Sequence, residues 1–225
     1  MKRRNRRVPK KPARRARAGE TYHHGALREA LLAAAEELLL EQGVEHFTLR
    51  ECARRAGVSH AAPAHHFGDA RGLLTAFAAI GFERMVALMR RYRAQAPSDA
   101  AAQLRAVGQA YLDFAVANRA HFQLMFRSDR LDRENPELKA AGQAAFEELR
   151  QAMAAFLREH GPADADLSPR LLLAWSVVHG FATLLLESQL DAFRAKRSMA
   201  AYARTAGADM LGLLAAGLMT AAPPE

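Results

Sequence analysis

The chain is short of the residues that staple or punctuate a fold. It has one cysteine, Cys52, in 225 residues. No intrachain disulfide can form, and a reducing cytoplasm is the expected location. Proline supplies 9 residues and glycine 14, too few turn formers for a hairpin-rich architecture, while alanine, the best helix former, supplies 50. No stretch of about 18 apolar residues runs uninterrupted by charge. The nearest, Met210 to Ala222, is too short to cross a bilayer, so no membrane partner is expected. The basic start of the chain is not followed by an apolar run, so a signal peptide is not expected either. With 50% hydrophobic and 25% charged residues the composition is that of a globular protein able to bury its own core.

Acidic residues are almost missing from one region. Residues 1–20 hold ten Lys or Arg and one acid, Glu20, a charge of +9, whereas the other 205 residues sum to −1. Such an arm has few apolar anchors and repels itself, so it is expected to be disordered when free. A basic tail on a near-neutral body suits nucleic acid, because each Lys or Arg can displace condensed counterions. An inert solubilising tail is the alternative.

The body reads as nine helices and no strand. The first spans about Ala26 to Gln42, with Leu27, Leu31, Ala34 and Leu38 on one face and Gly43 as its stop. Thr48-Leu49-Arg50-Glu51 is a capping box that opens a second helix to about Ala56. Gly57-Val58-Ser59 follows, with Ser59 placed to cap a third, short helix to about Phe67. Two short helices around a Gly-containing turn make a helix-turn-helix. Asp69 then caps a long helix to Gln95, Ser98 or Asp99 the next to Asn118, and His121 to Phe126 is a short apolar one. Asn135-Pro136 and Ser168-Pro169 are cap-plus-proline starts for helices to about His160 and Asp191, and the last helix covers about Ser198 to Met219. The helix from 169 to 191 is apolar almost all round and has to be covered on more than one side.

These residues together resemble the TetR/AcrR family of transcriptional regulators. The motifs are His24-Gly25-Ala26-Leu27, Ala33-Ala34-Ala35-Glu36-Glu37-Leu38-Leu39, Phe47-Thr48-Leu49-Arg50, Ala56-Gly57-Val58-Ser59, His66-Phe67 and Leu73-Leu74. Ala174-Trp175-Ser176-Val177-Val178-His179-Gly180 resembles the Trp…His-Gly segment of a C-terminal subclass, the WHG domain. The resemblance implies an all-α protein: the disordered arm at 1–20, a three-helix DNA-binding domain at 21–70, and a larger effector-binding and dimerisation domain at 71–225. It further implies a homodimer that places the third helix of each subunit in the major groove of double-stranded DNA and is released by a small effector.

Carried onto this chain, the DNA-binding set is Thr48, Arg50, Arg54, Ser59, His60, Ala61, Ala62, Pro63, Ala64, His65, His66 and Arg71. Thr48 is a helix cap and, by resemblance, a phosphate contact. Arg50 and Arg54 are either solvated or paired with phosphate. Ala61, Ala62 and Pro63 could meet thymine methyl groups, and His60 and His65 could donate to purine N7 or phosphate. His66 is either a base contact or a hinge packed beside Phe67. The tyrosine customary at position 64 is Ala64, and the customary lysine at 70 is Ala70, with Arg71 beside it.

Met89, Phe114, Phe122, Met125, Phe126, Trp175 and His179 are candidates for an effector pocket, although a Met and aromatic stripe is also what plain core looks like. His179 either binds a carbonyl in the core or orients an effector. The adjacent His65 and His66 point about 100° apart on a helix, and no His pair stands at i, i+4, so no metal or other cofactor is expected. With no Gly-rich phosphate loop and no nucleophile elbow, an enzyme is not expected. The expected function is a homodimeric repressor with an apolar or amphipathic effector. The alternative is a sequence-tolerant architectural protein dominated by its arm.

Overall fold

A computed structural model describes residues 18–161 and 166–220, with side chains from 25 to 219. It is all-helical: α1 (Ala18–Gln42), a 3-10 turn (Val44–His46), α2 (Leu49–Arg55), α3 (Ala62–Phe67), α4 (Ala70–Gln95), α5 (Ala100–Ala117), α6 (Arg119–Met125), α7 (Pro136–His160), α8 (Leu167–Leu186), α9 (Asp191–Arg194) and α10 (Met199–Thr220). The nine expected helices are present, with the four-residue α9 in addition. The basic arm lies, up to residue 17, outside the described residues. Its last residues, 18–20, are not disordered but helical, because the Ala-Gly-Glu stretch continues directly into α1.

The caps follow side-chain chemistry. Asp69 accepts from the amide of Gly72 at 2.8 Å, Asp99 from Ala102 at 2.8 Å and Asn135 from Leu138 at 3.0 Å. Each satisfies an amide that the first helical turn leaves unpaired. Two ends of α8 differ from expectation. Asp166 rather than Ser168 caps it, its carboxylate accepting from the Ser168 amide at 2.9 Å. The helix also stops at Leu186 instead of reaching Asp191. Ser188 takes φ of 60°, and the amides of Ser188 and Gln189 fold back onto the carbonyls of Leu185 and Leu184 at 3.2 and 2.9 Å. That is the Schellman closure usually built on glycine, here carried by serine.

Helix α5 runs through the middle of the larger module, packed against α4, α7, α8 and α10. It buries Leu104, Val107, Leu112 and Phe114. Gly108 lets α10 lie against it, since a Cβ there would come within 2.4 Å of the Leu211 side chain. Helix α7 is tied to α4 by the buried Glu148, whose two oxygens accept from Arg90 at 2.7 Å and Arg93 at 2.8 Å. In the smaller module Leu31, Leu38, Phe47 and Cys52 form the core, and the Cys52 thiol donates to the Leu31 carbonyl at 3.3 Å. Burial pushes that thiol up to about 11, which makes Cys52 a packing residue and not a nucleophile.

By length and composition α4 and α8 are each apolar enough to cross a membrane. The uncharged run from Leu171 to Leu186 has 16 residues, so it, rather than the 13 from Met210 to Ala222, is the nearest approach to a spanning segment. In the fold 56% of the apolar window of α4 is buried inside the bundle, against 39% for α8. The apolarity of α4 is therefore spent on the core, while α8 keeps an uncovered side.

Candidate DNA-reading face and ligand chamber

The helix-turn-helix is built from two local devices. Thr48 has extended backbone angles, and its hydroxyl accepts from the Glu51 amide at 3.2 Å. The other half of the expected capping box is not made: Glu51 turns to Arg54 and accepts from it through both oxygens, at 2.8 and 2.6 Å. A bidentate guanidinium is the stronger partner for an exposed carboxylate. It also holds the Glu51 carboxyl below its usual range. At the other end of α2, Gly57 takes φ of 67°, and the amides of Gly57 and Val58 return to the carbonyls of Arg54 and Ala53 at 3.2 and 3.0 Å. This Schellman turn reverses the chain and leaves Val58 packed on the core.

Ser59 does not cap the third helix. The amide of Ala62 bonds to the Ser59 carbonyl at 3.0 Å in a tight turn, and α3 begins only at Ala62 with Ala61 as its uncapped start. Pro63 sets this boundary: without an N–H it cannot bond to the Ser59 carbonyl one residue further on. Pro63 thus sits at the second helical position rather than the fourth. It is the buried residue of α3, so it faces inward and drops out of the set that could touch thymine methyls. Ser59, His60, Ala61, Ala64 and His65 are exposed, Ala62 and His66 half-buried. The His66 ring lies 6.2 Å from Phe67, and the Arg28 guanidinium sits over the Phe67 ring at 5.7 Å. Thr48, Arg50 and Arg54 are exposed beside this turn, with Arg54 already engaged by Glu51.

Arg71 is turned toward the larger module, where it donates to the Asp129 carbonyl at 3.3 Å. The same loop between α6 and α7 holds Arg127 and Arg130, both paired with Glu45 in the 3-10 turn. His121 on α6 is fully buried at the junction, stacked on Phe77 of α4 with ring centres 3.8 Å apart. Burial, aided by the positive charge of Arg84, pushes it down to about 4. At neutral pH the ring is uncharged, so its 3.7 Å approach to Glu36 of α1 is not an ion pair.

An apolar chamber of about 250 Å³ lies between α4, α5, α7, α8 and α10. Of the seven candidates, Met89, Phe126 and Trp175 line it. Phe122 and His179 instead line an adjoining hollow of about 410 Å³ toward the DNA-reading module, and Phe126 is in the wall of both. Phe114 and Met125 are buried and line neither; the Met125 sulfur packs against Gly81 of α4. Sequence reasoning missed Phe82, Arg105, Tyr111 and Phe146 in the chamber wall. His179 is half-buried and bonded to the Tyr111 hydroxyl rather than to a carbonyl.

The far side of α8 is uncovered. Leu171, Ala174, Val178, Ala182 and Leu185 are buried at helical spacing, while Leu172 is 62% exposed, Leu173 49% and Leu184 45%. On α10, Leu213 is 76% exposed and Met219 is exposed as well. The all-round apolarity of α8 is therefore satisfied on one face only.

Comparison with known proteins fits this arrangement. Residues 31–77 match the model of the bacterial regulatory proteins of the tetR family, and residues 104–215 that of a tetracyclin repressor-like C-terminal domain. A structure of a protein of unknown function from Rhodococcus sp. RHA1 is 35% identical, with a TM-score of 0.72, covering 88% of this chain and 98% of that one. The HTH-type transcriptional regulator BetI of Stenotrophomonas maltophilia (strain R551-3) is 32% identical over 49% of this chain. The match spans 57% of that relative's own length, little more than half. FadR from Bacillus subtilis, solved in complex with stearoyl-CoA, shares the fold with a TM-score of 0.66 at 15% identity, covering 84% of this chain and 98% of that one. With both modules matched, the chain belongs to the TetR family of transcriptional regulators.

Proposed function

We propose that the protein is a cytoplasmic homodimeric repressor released from its operator by a small apolar or amphipathic effector. The observation that carries this is the double use of α8. Its inner side contributes Ala174, Trp175 and Val178 to the chamber, and its outer side presents Leu172, Leu173 and Leu184 to solvent. An exposed apolar stripe of this kind marks an association surface. A second copy covers it by two-fold symmetry, together with Leu213 of α10. An occupant of the chamber then bears on the helix that sets the separation of the two reading modules. The stearoyl-CoA bound by the Bacillus subtilis protein of the same fold agrees with an apolar effector.

Residues 21–70 act as the DNA-binding domain and 71–225 as the effector and dimerisation domain. Thr48 and Arg50 contact phosphate, joined by Arg54 when DNA competes with Glu51. His60, Ala61, Ala62, Ala64 and His65 face base edges and backbone, and His66 and Arg71 act at the hinge. The arm at 1–20 adds salt-sensitive affinity without selecting sequence.

Sedimentation at micromolar concentration tests the dimer: a mass about twice 24.7 kDa is expected, and Leu172→Asp with Leu213→Asp should yield monomers. Selection of bound duplex from a random pool should return a two-fold symmetric site. A ratio of specific to random affinity near one at physiological salt would instead make this an architectural DNA-binding protein.

A further inference from the structure

The chamber has one charged side chain among the residues that line it, Arg105 of α5. The rest of its wall is apolar, hydrocarbon and the thioethers of Met85 and Met89, apart from the tips of Tyr111 and Trp175. Arg105 and Leu211 belong at the same time to a second, open hollow of about 400 Å³ on the outer surface, which is bordered by Tyr92, Gln95 and Gln109. Arg105 therefore stands at the threshold between an apolar interior and a polar exterior. Its neighbours on α4 are engaged, Arg90 and Arg93 both by Glu148. Arg105 is exposed and pairs with no carboxylate among the described residues.

We propose that the effector is an anionic amphiphile, with its hydrocarbon part in the chamber and its oxyanion on Arg105. The proposal rests on the chamber being the effector site. A planar guanidinium holds a carboxylate or phosphate by two parallel hydrogen bonds. An apolar cavity rewards each methylene that it removes from water. The volume sets the length of the tail. An engineered cavity of about 150 Å³ holds the six carbons of benzene, so about 250 Å³ accommodates roughly ten. Any larger polar part of the ligand lies in the outer hollow, against Tyr92, Gln95 and Gln109.

The test uses three ten-carbon probes, decanoate, decyl phosphate and decan-1-ol, titrated into the full chain with Trp175 fluorescence and calorimetry as readouts. Three proteins are compared: the wild type, Arg105→Met, which keeps an unbranched apolar stem without the guanidinium and its charge, and Gly142→Leu. Gly142 lines the chamber, and a Cβ there meets nothing closer than 4.0 Å. A leucine can thus narrow the chamber from a helical position that tolerates it. Far-ultraviolet circular dichroism and melting temperature confirm that both variants are folded.

The wild type should bind at least one of the two anions ten times or more tighter than the alcohol, and the better anion identifies the head group. Arg105→Met should erase that advantage and leave decanol unchanged. Gly142→Leu should weaken every probe that binds. Chain length should raise affinity about fourfold per methylene from hexanoate up to about decanoate and then level off. Equal binding of anion and alcohol, or an anion advantage that survives Arg105→Met, overturns the anionic assignment while leaving the chamber as the effector site. Binding of all probes that is indifferent to Gly142→Leu overturns the chamber itself, and no binding of any probe overturns the amphiphile.

Discussion

The Tyr111 hydroxyl of α5 lies 2.8 Å from Nδ1 of His179 on α8. Burial drives both groups toward their neutral forms, raising the phenol and lowering the imidazole. The bond is therefore one between uncharged partners, and it pins α8 to the central helix where the chamber and the adjoining hollow meet. The His179 ring also sits 4.6 Å from that of Phe126 and 6.4 Å from that of Trp175, so the pair organises the aromatic wall.

Tyr111→Phe removes that hydrogen bond and keeps the ring. The expected loss is about 1 kcal/mol, which lowers the melting temperature by roughly 2 to 4 °C in a chain of this length. Trp175 fluorescence should shift as well. An unchanged melting curve and an unchanged spectrum would show that the contact does not hold α8.

His121 makes stability depend on pH with a definite sign. Folded, it titrates near 4, against 6.5 for the free side chain. Between those values the unfolded chain takes up a proton that the folded one refuses. Stability is full above pH 6.5 and falls as pH drops toward 4, by at most about 1.4 kcal/mol per pH unit from this group. His121→Phe should preserve the stack on Phe77 and flatten the fall. Urea unfolding of both proteins at pH 7.5, 6 and 5 gives the difference directly; parallel curves would count against the assignment.

Thr48 can be separated into cap and DNA contact. Thr48→Ala should cost about 1 kcal/mol of stability. Thr48→Asp supplies an equally good cap and a charge that suits a helix N-terminus, so it should fold as the wild type does. Beside phosphate that same charge repels, so Thr48→Asp should lose DNA affinity, on specific and random duplex alike. Wild-type binding by Thr48→Asp would remove position 48 from the interface.

Ala64 is exposed on α3, where the family customarily has a tyrosine directed at the DNA backbone. Ala64→Tyr should restore one hydrogen bond to a charged group per subunit, about 1.5 kcal/mol or more before the ring is ordered. A net gain of about 0.7 kcal/mol in each half of a dimer is tenfold in affinity. Specific and random duplex should gain equally, because phosphate carries no sequence. If a folded Ala64→Tyr binds no better, the third helix docks in another pose.

What could be read from the sequence divides along the range of the forces involved. Asp69, Asn135 and Thr48 were legible as caps, and Asp99 as one of two candidates with Ser98, because a short polar side chain and an amide three residues on decide the matter. Gly57 was legible because positive φ is cheap for glycine. The end of α8 was not, since Ser188 performs the same closure without a glycine to mark it. Ser59 is a good cap residue by type, but the amide missing from Pro63 decides where α3 starts. The chamber was half legible. Met89, Phe126 and Trp175 are apolar helix-face residues like Phe114 and Met125, and only the tertiary packing decides that the first three line the chamber and the other two the core. Arg105 carried no signal at all, because the threshold it occupies exists only once α5 and α10 are packed.

Helix α10 brings Leu211, Leu214 and Ala215 to the chamber wall, while Leu213, between them in sequence, points to the solvent. The partition between the interior space and the outer surface is a single helix thick, about 10 Å. With Leu211 seated on Gly108, that helix has little slack to absorb an occupant by local repacking. If the chamber is the effector site, as proposed, an occupant too large for it by one or two atoms would move the partition as a body, and the outer face with it. The protein would then act as a gauge of ligand size: small occupants would fill the space silently, and the response would begin at the length where filling turns into pushing.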